Sequence, residues 1–447
     1  MKDTYGREFL KTEFLQLMKQ GLLSSSEVAT INGVVDFVCN RCLNNDVDYF
    51  ATFKYKEKNI TYCRRCLDFG IISSETKLYR SSSNHQILPN IGTLNKDFQL
   101  SSLQERASNF SKDILKQKKT GIIWAVCGAG KTEMMFESIA LALTLGKRVC
   151  WAIPRSDVVI ELAPRIKEAF PNAKIVTLHG NSDEKADYGD IVVTTVHQMI
   201  RFYAAFAFLI IDEVDAFPYT FDEMLMRIAK RACTPDSATI YLSATPTKND
   251  KIKIKNGRLA SCIIPARYHL FPLDIPKFKW SSNFFKQVTV NKIPEQVKVW
   301  LARKIKEGRR ALLFVPTIDS GLKFQTALER RMKIAVPFVY SSNPDRFDKV
   351  NRFKQGEGQF LITTMILERG VTIANIDVAI FCAEHDVYDE SALVQISGRV
   401  GRSPEWPTGE IVFFHHGITK AMEDAKSQII NMNKLAKEQG LLKELSL

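Results

Sequence analysis

Five groups of residues have types and spacings suited to chemistry. The string AVCGAGKT, Ala125 to Thr132, lies between an apolar strand-like run and a helix-like run. Gly128, Ala129 and Gly130 leave room for backbone N–H groups to turn inward around phosphate oxygens, Lys131 adds a point charge for the outer phosphates, and the Thr132 hydroxyl is a Mg²⁺ ligand. Some eighty residues on, FLIIDEVD places Asp212 at the end of an apolar strand, where it can meet the same ion. Glu213 is next to it, able to orient or deprotonate an attacking water. LSATPT adds Ser243 and Thr245 after another strand. QISGRVGRS puts Arg399 and Arg402 three apart, on one face if helical, as two guanidiniums for phosphates held elsewhere.

The remaining group is C-x2-C, twenty residues, C-x2-C: Cys39, Cys42, Cys63 and Cys66. Four thiolates from two tight knuckles suit tetrahedral Zn²⁺ and leave no open position, so the expected role is structural. Sulfur ligation alone leaves an iron–sulfur cluster open as an alternative. Arg41, Arg64 and Arg65, with Tyr49, Phe50, Phe53 and Tyr55 between the knuckles, can either grip and stack on a nucleic-acid strand or pack the small module.

These residues need rigid mounts, and the hydrophobic pattern supplies them. EFLKTEFLQLMKQGLL reads as an N-terminal helix, YFATFKYKEKNITY as a β-hairpin with a Lys-rich turn, and Ser81 to Thr93 as a linker. TGIIWAVCG, RVCWAIP, KIVTLHG, DIVVTTV, FAFLIIDEV and ATIYLSAT are strand-like runs, with helices such as SDVVIELAPRIKEAF (Ser156 as N-cap) between them. The alternation predicts a parallel sheet covered on both faces. FPLDIPKFKW, with Pro272 and Pro276, reads as a hinge. A second round follows in RRALLFVP, PFVYSS, GQFLITT, DVAIFCA and GEIVFFHH, ending in a terminal helix. The boundaries expected are 1–95, 96–280 and 281–447.

At 447 residues with 45% hydrophobic and 25% charged content, the chain reads as an ordinary multidomain globular protein. The longest apolar run, Phe202 to Ile211, is half of what a bilayer span requires, and no signal peptide opens the chain. Both point to a cytoplasmic protein with no integral membrane segment. A net charge of +13 fits a polyanionic partner or a Lys-rich surface equally. Nine cysteines in such a chain argue against a disulfide framework. Cys127, Cys150, Cys233, Cys262 and Cys382 read as core residues.

Taken in order, these strings resemble superfamily 2 helicases and translocases over about residues 97–415. AIPRSDVVIELAPR, TTVHQM, DEVD and SAT correspond to the first-lobe motifs, and LLFVPT, ITTMILERGVTI and QISGRVGR to the second. The resemblance implies two RecA-like α/β lobes hydrolysing ATP with Mg²⁺. In that scheme Gln104 reads adenine, Gly370 joins the nucleotide set, and Thr194, Thr195, His197, Thr363 and Thr364 contact a nucleic-acid backbone. The Val in DEVD, and Thr372 where RNA remodellers carry Asp, count against an RNA substrate. With a four-cysteine module ahead of two uninterrupted lobes, nearly the whole chain resembles the ComFA family, late-competence DNA helicases/translocases. That resemblance implies uptake of transforming single-stranded DNA at the inner face of the membrane, with the ComEC channel, ComFC and DprA as partners. A homo-oligomer is left open. The alternatives are a duplex-unwinding repair or replication-restart helicase, such as PriA, whose cysteines interrupt its second lobe, and a non-motor ATP-gated DNA clamp or adaptor.

Overall fold

A computed structural model of the chain describes residues 4–81, 93–95, 99–180, 182, 187–369 and 372–443. Most of the expected linker, and Gly370, lie outside the described residues. The chain divides into two bodies, residues 1–123 with 132–262, and residues 124–131 with 263–447.

The first body is built on a seven-stranded sheet. Its strands run, in spatial order, Ile175–Leu178, Ile191–Thr195, Val149–Ile153, Phe206–Ile211, Cys233–Ser243, Thr120–Ala125 and Ala260–Ile264. The first five pair in parallel. Val149–Ile153 and Ile191–Thr195 are buried at every position, which is why neither shows apolar–polar alternation. Helix Ser102–Gln117 opens with a capping box, in which Gln104 N donates to Ser101 Oγ (3.4 Å) and Ser101 N to Gln104 Oε1 (2.9 Å). Helix Ser156–Ala169 starts one residue early: its N-cap is Arg155, with no side-chain cap.

The N-terminal module differs from a free-standing clip. Glu8–Leu10 is a strand, and only Lys11–Lys19 is helical. That strand pairs with Lys77–Ser81, which also pairs with Val28–Asn32, giving a three-stranded antiparallel sheet. Phe14 on the helix stacks on Tyr79 at 4.2 Å. The expected hairpin is present as Phe50–Tyr55 and Lys58–Cys63, turning at Lys56 and Glu57 with φ of 45° and 65°. Two successive left-handed residues match the right-handed twist of the flanking strands.

One core cluster contains the four cysteines, Ile72 and Leu78 together with Val196, Met199, Ile200 and Phe202 of the first body. Polar contacts reinforce it. Arg7 forms an antiparallel bridge to Phe202, and Tyr203 N donates to the Gly6 carbonyl at 2.9 Å. The Glu8 carboxylate, 1% exposed, pairs with Arg231 and with Arg80 (2.8 Å), while Arg231 also donates to the Phe202 carbonyl at 2.9 Å.

In the second body six strands are all parallel, in the order Lys277–Trp280, Ile411–His415, Ile376–Phe381, Arg310–Phe314, Phe360–Thr363 and Phe338–Val339. Apolar clusters line both faces, one of them including Met422 and Ala425 of the terminal helix Lys420–Glu438. Part of the expected hinge is therefore an edge strand. Phe278 stacks on Phe413 at 5.7 Å, and Lys277 and Lys279 suit an edge, where Pro276 removes no ladder bond. A buried charge network lies at the amino ends of the strands beside that edge, where Lys277 approaches Glu410 at 3.9 Å. Lys304 meets Asp377 (2.7 Å) and Glu410 (3.0 Å), and Arg309 meets Asp377 (2.6 Å). Burial alone would raise the Glu410 carboxyl, but hydrogen bonds from Lys304, Arg303 and Trp300 outweigh it and hold the group at about 2.

Replacing Glu8 by Ala strands the Arg231 guanidinium in a dry site. The cost expected is about 3–5 kcal/mol, read from urea unfolding of the first body. Adding Arg231→Met should recover most of that loss, because a buried pair exchanged for apolar packing is often neutral.

Candidate nucleotide and metal sites

In the first body, functional side chains collect where parallel strands end. Asp212 follows the strand Phe206–Ile211, its N–H donating to the Ala152 carbonyl at 2.9 Å and its Oδ1 accepting from Glu213 N at 2.8 Å. Asp212 is 8% exposed, and Glu213 takes φ +52°, a left-handed kink that turns the chain away from the strand. Asp215 accepts from Ser243 Oγ and Thr245 Oγ1, both at 2.7 Å, and Thr245 N donates to Ser243 Oγ at 3.0 Å. The DEVD and SAT strings are thus one hydrogen-bonded unit, with Asp215 as its acceptor. Sequence reasoning misses Asp215 as a site residue; the third carboxylate of DEVD is its signal. Thr132 is the second residue of helix Lys131–Thr144 and almost buried.

The loop ahead of Thr132 groups with the second body. Gly128 and Gly130 take φ of +83° and +78°, values that L side chains rarely adopt. Val126 N donates to the Ile264 carbonyl at 3.1 Å and Ala129 N to the Val126 carbonyl at 3.2 Å, so the turn is tied to the end of the neighbouring strand. The Cys127 thiol is buried and donates to Gln395 Oε1 at 3.1 Å, a packing role.

Arg399 and Arg402 do not share a helical face. Helix Glu390–Ser397 ends before them, and both lie in the turns that follow. Arg399 is buried, with Nε donating to the Glu368 carbonyl at 3.0 Å. Arg402 Nε donates to the Gly398 carbonyl at 2.8 Å, and Nη1 reaches Thr372 Oγ1 at 3.4 Å. Thr372, noted in the sequence as a departure, serves here as an acceptor.

The two Thr-Thr pairs are built alike. Thr194 and Thr363 are fully buried, and each hydroxyl donates to the carbonyl of the next residue at 3.0 Å. Those hydroxyls hold the backbone at the strand end; Thr195 is buried as well, and Thr364 is half-buried. His197 is half-buried, its pKa lowered by burial, and its ring stacks on Phe69 of the module at 6.1 Å and 25°.

The four cysteines are fully buried, with every sulfur within 4.8 Å of the others. Cys39 and Cys66 lie 3.7 Å apart, Cys42 and Cys63 3.6 Å. A tetrahedron with Zn–S bonds of about 2.3 Å has edges of about 3.8 Å, so the spacing fits one tetrahedral ion. A multi-iron cluster would hold the thiolates further apart, and a disulfide would bring them to about 2 Å. Hydrogen bonding from Cys39 drives the Cys63 thiol far down and its neighbour Cys66 up, as expected where four sulfurs share too little room for four protons. Arg41 is buried and ties the knuckles together through the Phe69 carbonyl at 2.7 Å. Arg65 stacks on Tyr49 at 3.6 Å and approaches Asp222 at 3.9 Å. Arg64, Phe53 and Tyr55 stay exposed.

Residues 5–80 match the Competence protein ComFA N-terminal domain, 96–248 the Type III restriction enzyme res subunit, and 291–404 the Helicase conserved C-terminal domain. The chain is 43% identical to Competence protein ComFA of Bacillus subtilis over 94% of its length and 90% of that protein. Against Competence protein ComFA of Streptococcus pneumoniae the figures are 35%, 97% and 98%. The chain belongs to the ComFA family. Among solved structures, S. cerevisiae Dbp5 bound to RNA and ADP BeF3 superposes with a TM-score of 0.52 at 16% identity, covering 78% of this chain and 95% of that one, a likeness of fold. As a ComFA-family member the chain is a competence-associated, nucleic-acid-dependent ATPase of superfamily 2, with two RecA-like parallel-sheet lobes behind a four-cysteine cluster.

Lys131→Ala removes the only full positive charge within the phosphate-loop string. ATPase turnover should fall by at least two orders of magnitude while circular dichroism and the melting temperature stay at wild-type values, since Lys131 is partly exposed at a helix start. Wild-type turnover in a well-folded Lys131→Ala protein would remove the loop from the nucleotide site.

Proposed function

We propose that this ComFA-family chain is an ATP-driven single-stranded DNA translocase that draws transforming DNA inward at the cytoplasmic face of the membrane. Near-full-length identity to two competence proteins carries this reading. The intact set of ATPase residues supports it, and among the described residues no helix is long and apolar enough to cross a membrane. The ComEC channel, ComFC and DprA are the partners this role calls for. Thr195, His197 and Thr364 are the proposed backbone contacts on the DNA strand, with Thr194 and Thr363 bracing them.

For hydrolysis, Lys131 and the N–H groups around Gly128 and Gly130 would hold the ATP phosphates, and Thr132 and Asp212 the Mg²⁺. The nucleotide would supply the phosphoryl group, and the ion would offset its negative charge. Glu213 takes the proton of the attacking water, and Arg399 and Arg402 balance charge on the phosphates. Asp215 holds Ser243 and Thr245 in place. Gln104 is the proposed adenine contact, made from a side chain already fixed by its capping box.

Turnover measured with single-stranded DNA, duplex DNA and RNA tests the substrate. Single-stranded DNA should stimulate at least tenfold more than either of the others, and displacement of streptavidin from a biotinylated single strand should require ATP. Preferential stimulation by duplex DNA, with strand displacement on a fork, would favour an unwinding helicase. Glu213→Gln should retain nucleotide binding and lose turnover by about two to four orders of magnitude; a mutant that cannot bind nucleotide would make Glu213 structural.

The four-cysteine site is proposed to hold one Zn²⁺, in a purely structural role. Elemental analysis should return about one zinc per chain and negligible iron. Cys63→Ala with Cys66→Ala should abolish it and expose the hairpin to protease.

A further inference from the structure

The segment that carries His197 has little structure of its own. Val196–Arg201 is a short 3-10 stretch directly after Thr195, and the bonds of such a turn are weaker than those of an α-helix. Its place is therefore set by what it packs against: helix Glu223–Ala232 of the first body on one side, and the four-cysteine module with its N-terminal strand on the other. At its start the His197 ring lies on Phe69. Phe69 ends the 3-10 turn Arg64–Phe69 that carries Cys66, and its carbonyl is held by Arg41 from the other knuckle. At its end Arg201 Nη1 donates to Glu13 at 2.6 Å, and Phe202 bridges to Arg7. Between these points Val196, Met199 and Ile200 are buried in the cluster that contains all four cysteines.

We infer that the metal-closed knuckles are the mount of the Val196–Arg201 segment, with Phe69 the positioning residue for His197. The module thereby sets how the first body meets single-stranded DNA without having to touch the strand itself. This rests on the single-stranded DNA reading above. Both knuckles converge on Phe69, one through Cys66 in its own turn and the other through the Arg41 bond, so loss of the ion would release both supports of the ring at once.

The test uses full-length Phe69→Ala, Phe69→Leu, Phe69→Tyr and His197→Ala proteins, with zinc content, amide exchange over residues 196–201 and the concentration of a single-stranded oligonucleotide giving half-maximal ATPase as readouts. Phe69→Ala should keep its zinc and exchange faster over 196–201. The half-maximal concentration should rise roughly 3- to 10-fold, the size of a lost aromatic pair, with the maximal rate within about twofold. Phe69→Tyr should restore wild-type behaviour. Combining Phe69→Ala with His197→Ala should be no worse than His197→Ala alone. If Phe69→Ala sheds zinc, Phe69→Leu, which fills most of the volume without a ring, gives the same reading. Unchanged exchange over 196–201 would overturn the mount, whatever happens with DNA. Faster exchange with an unchanged DNA dependence would overturn its link to DNA. A wild-type protein that single-stranded DNA does not stimulate would instead overturn the functional reading, and exchange would still decide the mount.

Discussion

A parallel sheet covered on both faces buries its backbone groups in ladder bonds and its side chains in apolar layers, and only the strand ends remain for polar work. In each body of this protein the two ends are used differently. The carboxyl ends carry Asp212, Thr195, Ser243 and Thr363, each held by a short polar contact to a neighbouring residue or strand. At the amino ends of the second sheet lie Asp377, Arg309 and Glu410, closed into ion pairs with Lys304 and Arg303. One end of that sheet closes its charges on themselves, and at the other Thr363 is buried with its hydroxyl bonded to the next carbonyl.

The N-terminal module has to attach to this scheme without a sheet of sufficient size. Its outer side exposes Val35, Phe37, Phe53 and Tyr55, and its inner side shares the first body's core. So lopsided a module cannot gain enough apolar burial to order itself. The cysteine cluster, buried in that shared core, compensates, and the Glu8–Arg231 pair with the Arg7–Phe202 bridge adds polar ties. A buried pair of this kind adds little net stability, since desolvation offsets most of the attraction, but it penalises any docking that separates the partners. Its contribution is therefore to orientation.

Much of the motor was legible from the sequence because the chemistry is local. A glycine-flanked Lys-Thr after an apolar strand, and an Asp-Glu at the end of another, dictate their own geometry within a few residues. The four cysteines were legible for the same reason, as each knuckle closes over two intervening residues. What was not legible depends on partners far apart in the chain. Glu8 meets Arg231 across 223 positions, and neither residue stands out by type. Nothing in the pattern around Phe69 marks it as a partner of His197, which lies 128 positions further on. The edge strand Lys277–Trp280 was hidden by two prolines, because the sheet tolerates a proline ahead of an edge that it would reject within a central strand. The helix before Arg399 stops at Ser397, so spacing alone placed the two arginines on a face that does not exist.

A knot of thiolates ahead of a nucleotide-hydrolysing engine becomes intelligible once rigidity is taken as the requirement. A segment that must meet a strand repeatedly, in the same way, gains from a mount that does not soften between cycles. Hydrophobic packing alone would give the small module many nearly equivalent arrangements, each relocating Phe69 by a few tenths of an ångström. Four directional bonds to one ion, in the proposed zinc site, would admit a single arrangement of both knuckles, and the Arg41 contact to the Phe69 carbonyl would carry that arrangement to the ring facing His197. An ion that exchanged a ligand with solvent would release one knuckle, and with it one of the two supports of Phe69.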